Sequence, residues 1–292
     1  MRISTSTYFN QAKNELQKRR GDVSQLQAQI SSGKRVEQLG DDRLATKSIL
    51  QDQSSLRANA SALRISADLG RVLNFTEHTL GTATSIMQRT RELTVQMAND
   101  TYGFEERQAA IIEISHLKEE MLAIANTEFN GRTLFSGDGN VDPAFDATGA
   151  FLGDGGQLEV PIGKLRFNAS LPGGEPFEDP TGGPSIFQTF DDVITAIGSS
   201  DGALISATLD DIDVAFDRIS NARTEIGRTQ RQLDVTIGTL DHFRIMTAEA
   251  LSAERDTDMI EAIMQLREAE SGLKAAMVVT TRLEGMSLVD ML

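Results

Sequence analysis

The residues with the strongest claim to chemistry are the run Asp138-Gly139-Asn140-Val141-Asp142, followed by Asp146. Oxygen-bearing side chains at alternate positions open the loops that wrap calcium, a hard cation that needs many oxygen ligands. The pattern fails at the two places where such a loop is most demanding. Pro143 stands where glycine makes the sharp turn, and Gly149 stands where a bidentate carboxylate closes the site. The run therefore reads first as an acidic, solvated loop. The three histidines, His78, His116 and His242, fall within helical pattern and lack a partner at metal-ligand spacing. There is no cysteine, so no thiolate nucleophile, thiolate zinc site or disulfide. No serine sits in a Gly-x-Ser-x-Gly elbow, and no glycine-rich loop opens a helix to cradle phosphate. The expectation is a protein that is not an enzyme and carries neither metal nor cofactor.

The elements around these residues are more informative. All six prolines (143, 161, 172, 176, 180, 184) lie between residues 140 and 190, and twelve of the 24 glycines lie between Gly131 and Gly183. Both residue types oppose helix interiors. The chain thus divides into helix, insert and helix. The N-terminal arm reads as helix from Tyr8 to Ser31, broken at Ser32-Gly33-Lys34, with a restart at Gly40-Asp41-Asp42. Helical pattern then continues to Asn99, and a third helix spans Phe104 to Thr127. In the insert, Gly156–Val160 and Gly163–Asn168 alternate apolar and polar residues and predict a hairpin. Phe187, Phe190, Val193, Ile194 and Ile197 predict a short amphipathic helix.

From Leu204 to Ala253 the spacing alternates four and three through the apolar Ile212, Phe216, Ile219, Ile226, Leu233, Ile237, Leu240 and Leu251, with Arg223, Gln230, Arg244 and Thr247 filling the remaining steps. That is a coiled-coil seam, expected to close inside the chain against the helices before the insert. Asp258, with Glu261 three residues on, predicts a capped start for a last helix. The fold class is mainly α: an elongated antiparallel helical bundle or coiled coil with a small inserted β-rich subdomain. The parts are residues 1–40 and 256–292 (terminal coiled-coil core), 41–130 and 201–255 (helical rod) and 131–200 (acidic insert). Methionines 87, 97, 121, 246, 259, 264 and 277 lie on or beside the apolar stripes and read as adaptable core filling.

Net charge is −15. Most of it lies between Ser136 and Asp217, where fifteen Asp or Glu face only Lys164 and Arg166. Nucleic acid and anionic membranes are disfavoured, since both require basic patches. No apolar run is long enough to span a bilayer. Met1-Arg2-Ile3-Ser4-Thr5-Ser6 lacks the apolar core of a cleavable signal peptide, which predicts a cytoplasmic protein or export by another route.

Several phrases carry a resemblance. Gln29-Ile-Ser-Ser-Gly-Lys-Arg35, then Gly40-Asp41-Asp42, resembles the N-terminal signature of the flagellin-type axial proteins of bacterial flagella. Asp256 through Leu266 and Gly285 through Leu292 resemble their C-terminal helix. Within that superfamily, Ala125-Asn-Thr-Glu-Phe-Asn-Gly-Arg-Thr-Leu-Phe-Ser-Gly137 and the opening Met1-Arg-Ile-Ser-Thr5 resemble the third class of hook-associated proteins, which join hook to filament. Departures fall at Arg132-Thr133 and at the ending Leu288–Leu292, so a filament-forming flagellin is the alternative, with a coiled-coil adaptor behind it. The resemblance implies secretion by the flagellar export apparatus and residence at the hook–filament junction. It implies self-association head to tail, neighbours of hook-associated and flagellin type, and an export chaperone on the C-terminal helix. The assembly interface is then expected at Phe9, Leu16, Val23, Leu26, Ile30, Ile263, Leu266, Leu273, Ala276, Leu283 and Met286, stripes that wait for neighbours. Residues 140–185 are expected to be removable without loss of that core.

Overall fold

The computed structural model describes residues 5–38, 40–99, 102–154, 159–162, 165–168, 172–180 and 182–289. The side chains of Phe9, Leu283 and Met286 lie outside the described ones. The elements in order are α1 (Thr5–Ser32), α2 (Arg43–Met97), α3 (Phe104–Ala125), β1 (Glu128–Phe129), β2 (Arg132–Thr133), β3 (Glu159–Ile162), β4 (Leu165–Asn168), α4 (Ile186–Ser199), α5 (Gly202–Arg255) and α6 (Met259–Val289). Residue contacts divide the chain into two units, Met1–Ala58 with His242–Leu292, and Asn59–Asp241. Helices α2 and α5 each contribute to both.

In the unit of residues 59–241, α2 and α5 run antiparallel. Arg91 binds Asp213 at 2.7 Å, Arg223 binds Glu77 at 2.6 Å, Gln230 donates to Asn74 at 2.9 Å and Asn59 donates to the Leu240 carbonyl at 2.9 Å. Numbers that fall on one helix as they rise on the other fix the direction and the register. The apolar seam between these polar contacts is buried: Leu73, Leu80, Met87, Ile212, Ile219, Ile226 and Leu233 are almost wholly covered. Several threonines share it. Thr76, Thr84, Thr90 and Thr94 each donate to the carbonyl four residues earlier at 2.8–2.9 Å. A hydroxyl satisfied by its own helix needs no partner across the interface, so these small side chains can be buried.

Helix α3 opens after Gly103 with Glu105 and Glu106 in its first turn, where carboxylates suit the helix dipole. It packs on α4, which is capped by Ser185 accepting from the Gln188 amide at 3.1 Å. Asp201 then caps α5 by accepting from the Ala203 amide at 2.9 Å, so two residues suffice to join α4 to α5.

Among the described residues two separate two-stranded hairpins are seen, one in the insert and one at its entrance. The expected pair is β3 with β4, register Val160 to Phe167, with Pro161 inside the strand rather than in the turn. The second hairpin, β1 with β2, turns at Asn130-Gly131, both with positive φ, the conformation that Asn-Gly favours in two-residue hairpins. It sets the Phe129 ring 4.9 Å from that of Phe75 on α2. What holds the rest is aromatic packing. Phe145 lies 5.4 Å from Phe177, 5.6 Å from Phe187 of α4 and 5.2 Å from Phe151, and Phe135 lies 5.0 Å from Phe177, ring centre to ring centre. These rings belong to the same buried cluster as Leu73, Ile114 and Ile212. Residues 131–200 and the surrounding helices share one core.

The calcium-like run is occupied by backbone. The Asp154 carboxylate accepts from the amides of Asp138 and Gly139, both at 2.9 Å. The Asn140 side-chain oxygen accepts from the Thr133 amide at 3.0 Å. Asp146 closes its own turn by accepting from the Thr148 and Ala150 amides. These donors hold the Asp146 carboxyl below its ordinary value, the Thr148 hydroxyl most of all. Gly149, read as a missing ligand, has φ +86°, and a Cβ there would lie 2.4 Å from the Phe187 ring. Packing, not coordination, requires glycine at that position.

Candidate assembly surface

In the unit of residues 1–58 and 242–292, the breaks α1/α2 and α5/α6 lie side by side. The Arg35 amide donates to the Arg255 carbonyl at 2.7 Å, and the Thr257 amide donates to the Gly33 carbonyl at 3.0 Å. Lys34 and Asp256 form an antiparallel bridge, with Gly33 at φ +69°. The Arg35 guanidinium also donates to the Glu254 carbonyl at 2.8 Å and pairs with Asp42 at 3.4 Å. Two carboxylates cap the helices that leave the break. Asp42 accepts from the Leu44 and Ala45 amides, both at 3.0 Å. Asp258 accepts from the Ile260 amide at 2.9 Å and the Glu261 amide at 3.2 Å. Glu261 does not return the bond; its carboxylate takes Gln265 instead, at 3.0 Å. Donation from the Ala45 amide, reinforced by Arg35, holds the Asp42 carboxyl below its ordinary value. Arg255, then Ser252, does the same for Asp256. A small core of Val36, Ala45, Ile49 and Leu251, with Leu56 against it, sits beside the break.

Beyond the break, α1 and α6 pack against each other. The bridge at Lys34–Asp256 and the approach of Gly272 to the Arg19 guanidinium show that they run antiparallel. Val23 and Ala262 are buried in this pair. Leu16, Leu26 and Ile30 on α1, and Leu266, Leu273 and Ala276 on α6, are half-buried along the same line. The structure thus brings seven of the expected interface residues together within the chain: the two stripes face each other. Ile263 is not among them; it points outward, 41% exposed.

Apolar side chains outside that seam remain open. Met259, Ile260, Ile263 and Met264 at the start of α6, and Met277, Val278 and Val279 further along, are exposed, as are Phe243, Ile245 and Met246 on α5 and Leu44 and Leu50 on α2. Twelve of the nineteen large apolar side chains exposed among the described residues lie in this unit, against four of the twenty-nine buried ones. The expectation that the methionines fill a core is corrected here. Met87, Met97 and Met121 are buried in the other unit, but Met246, Met259, Met264 and Met277 are 55%, 43%, 60% and 40% exposed. A single partner helix covers one seam of α6, and α6 carries more apolar residues than one seam holds. Ala262, Ile263 and Met264 in succession were the available signal, since a helix apolar on more than one face asks for more than one neighbour.

The seam residues are placed without exception in cores. Ile212, Phe216, Ile219, Ile226, Leu233, Ile237 and Leu240 are buried or half-buried in the unit of residues 59–241. Leu251 belongs to the small core by the break. Among the described residues no group of three or more His, Asp or Glu is placed to hold a metal. No helix there is long and apolar enough to cross a membrane.

Comparison with known proteins agrees with this architecture. Residues 3–140 match the bacterial flagellin N-terminal helical region, and residues 209–292 match the bacterial flagellin C-terminal helical region. A flagellin of Halalkalibacterium halodurans is 27% identical over 81% of this chain and 78% of its own. The flagellar hook-associated protein 3 of Salmonella typhimurium is 24% identical and aligns over 100% of this chain and 99% of its own. Among solved structures, FlgL of Bacillus cereus superposes with a TM-score of 0.59 at 25% identity, covering 68% of this chain and 97% of that one. Matched at both ends and paired through those ends, the chain belongs to the bacterial flagellin family.

Proposed function

We propose that this protein is a structural subunit of the bacterial flagellum that seats between hook and filament and assembles through the unit formed by its terminal helices. The observation that carries the reading is the segregation of apolar surface. Among the described residues, the unit of residues 59–241 buries twenty-five large apolar side chains and exposes seven, whereas the terminal unit buries four and exposes twelve. Apolar area removed from water contributes about 25 cal/mol per Å², so such a face is stabilised by neighbours that cover it. Neighbours of the same family offer the same helices, and head-to-tail contacts between like subunits generate rings or helical arrays.

The junction position is favoured over the filament by the end-to-end alignment with hook-associated protein 3, insert included. The second reading, a flagellin that builds the filament itself, is favoured by the higher identity to the Halalkalibacterium flagellin over a shorter span. The neighbours in the junction reading are other copies of this chain, a hook-associated protein on one side and flagellin on the other. Before export, a chaperone would cover the outward face of α6, and the flagellar export apparatus would carry the chain out of the cell.

Electron microscopy of a strain lacking this gene separates the readings. Hooks without filaments, with flagellin monomers in the medium, are expected for a junction subunit. Filaments of normal length on those hooks would sink that role. Purified chain that polymerises alone into long filaments would establish the second reading.

A further inference from the structure

The methionines divide between the two units without overlap. Every described methionine in the unit of residues 59–241 is buried: Met87, Met97 and Met121 are at most 2% exposed. Every one whose side chain is described in the terminal unit is open to solvent: Met246, Met259, Met264 and Met277. Each open thioether sits among exposed apolar residues. Met246 follows Phe243 and Ile245, Met259 and Met264 bracket Ile260 and Ile263, and Met277 precedes Val278 and Val279. The oxidisable sulfurs are thus built into the face that the assembly reading uses.

We propose that Met246, Met259, Met264 and Met277 are oxidation sites through which peroxides block incorporation of the free subunit; this rests on the assembly reading above. Hydrogen peroxide delivers one oxygen atom to the thioether sulfur. The S–O bond forms as the O–O bond breaks, sulfur loses two electrons, and the remaining oxygen leaves as water with both hydrogens. The product sulfoxide is polar and chiral where the thioether was apolar and flexible. Its oxygen needs a hydrogen-bond donor once water is removed, and a neighbour shaped for apolar contact supplies none. The same burial shields the sulfurs after assembly, so the sensitivity belongs to the subunit before incorporation. Stereospecific sulfoxide reductases, one for each epimer, reverse it.

The test uses the full chain. After exposure to hydrogen peroxide, peptide mass spectrometry is expected to show the four outward methionines converting several-fold faster than Met87, Met97 and Met121. Treated and untreated chains are then sedimented with isolated hooks that lack this protein. A several-fold drop for the oxidised chain, restored by the two reductases together, supports the proposal. A variant with Leu at all four positions, close in volume to Met, is expected to sediment equally with and without peroxide. The reductase arm decides the matter if that variant folds poorly. Equal sedimentation of a chain bearing all four sulfoxides overturns the proposal alone, as does reductase treatment that restores nothing. An untreated chain that stays in the supernatant overturns the assembly reading and this proposal with it.

Discussion

Arg223 of α5 lays its guanidinium on the Glu77 carboxylate of α2 at 2.6 Å, at a seam position between Ile219 and Ile226. Seam positions favour apolar residues; the arginine instead pairs across the interface and also donates to the Thr84 hydroxyl at 3.4 Å. Both charged side chains keep more than a third of their surface in solvent, so the pair contributes only about 0–1 kcal/mol. Arg223→Met and Glu77→Ala are each expected to move the urea midpoint slightly. A loss of several kcal/mol in either would show that the pair anchors the unit rather than setting its register.

Leu273→Asp places a charge between α1 and α6. Leu273 is half-buried there, so the loss is a fraction of the roughly 1.5–3 kcal/mol of a fully buried leucine, plus the cost of desolvating the carboxylate. Hydrogen exchange is expected to show lost protection in α1 and α6, with residues 59–241 unchanged. Incorporation at the hook should fall in parallel. Unchanged protection in α1 would mean that Leu273 does not hold the pair.

Two glycines offer a controlled comparison. Gly149 and Gly182 have nearly the same φ, +86° and +87°, but a Cβ at Gly182 meets nothing within 4 Å while one at Gly149 strikes Phe187. Gly182→Ala should cost about 1–2 kcal/mol from the left-handed backbone alone. Gly149→Ala should cost a further 1–3 kcal/mol, roughly, from overpacking. Equal thermal midpoints for the two variants would contradict the packing assigned to Phe187.

Removal of residues 140–185, expected from the sequence to spare assembly of the core, takes away Phe145 and Phe177 and uncovers Phe135 and Phe187. Loss of one buried phenylalanine costs about 3–5 kcal/mol, so two are comparable with the roughly 5–15 kcal/mol that holds a typical domain folded. The deletion is expected to unfold the unit of residues 59–241, which circular dichroism through a thermal ramp would register. A cooperative transition at the original temperature would restore the view of a detachable insert.

The break responds to acid. Asp42 and Asp256 are both held below the ordinary carboxyl value of 3.8. Such groups stabilise the fold while they are ionised, and the contribution fades as pH drops past 3.8 and through the lowered values. Asp42→Asn keeps an oxygen for the Ala45 amide and removes the titration, whereas Asp42→Ala removes both. Melting curves at neutral pH and near pH 3 should rank wild type above Asn above Ala at neutral pH, with wild type losing most of its lead in acid. A wild-type lead that survives acid would remove Asp42 from the account.

Local chemistry along the chain determined where the helices start and stop. Asp42, Asp258 and the Gly33 break are legible because a cap or a positive φ depends on residues within one turn, and the helical extents follow from all six prolines and half of the glycines lying in the insert. The alternation from Ile212 to Leu251 likewise marked a seam, since periodicity names the face of a helix. Periodicity does not name what covers that face. Only the tertiary structure sent Ile263 and four methionines outward, and gathered Phe135, Phe145, Phe177 and Phe187 from scattered positions into the core that the helices share. Those outcomes depend on how many neighbours reach each helix and on contacts between residues far apart in the chain, and neither quantity is written in the spacing of any one segment.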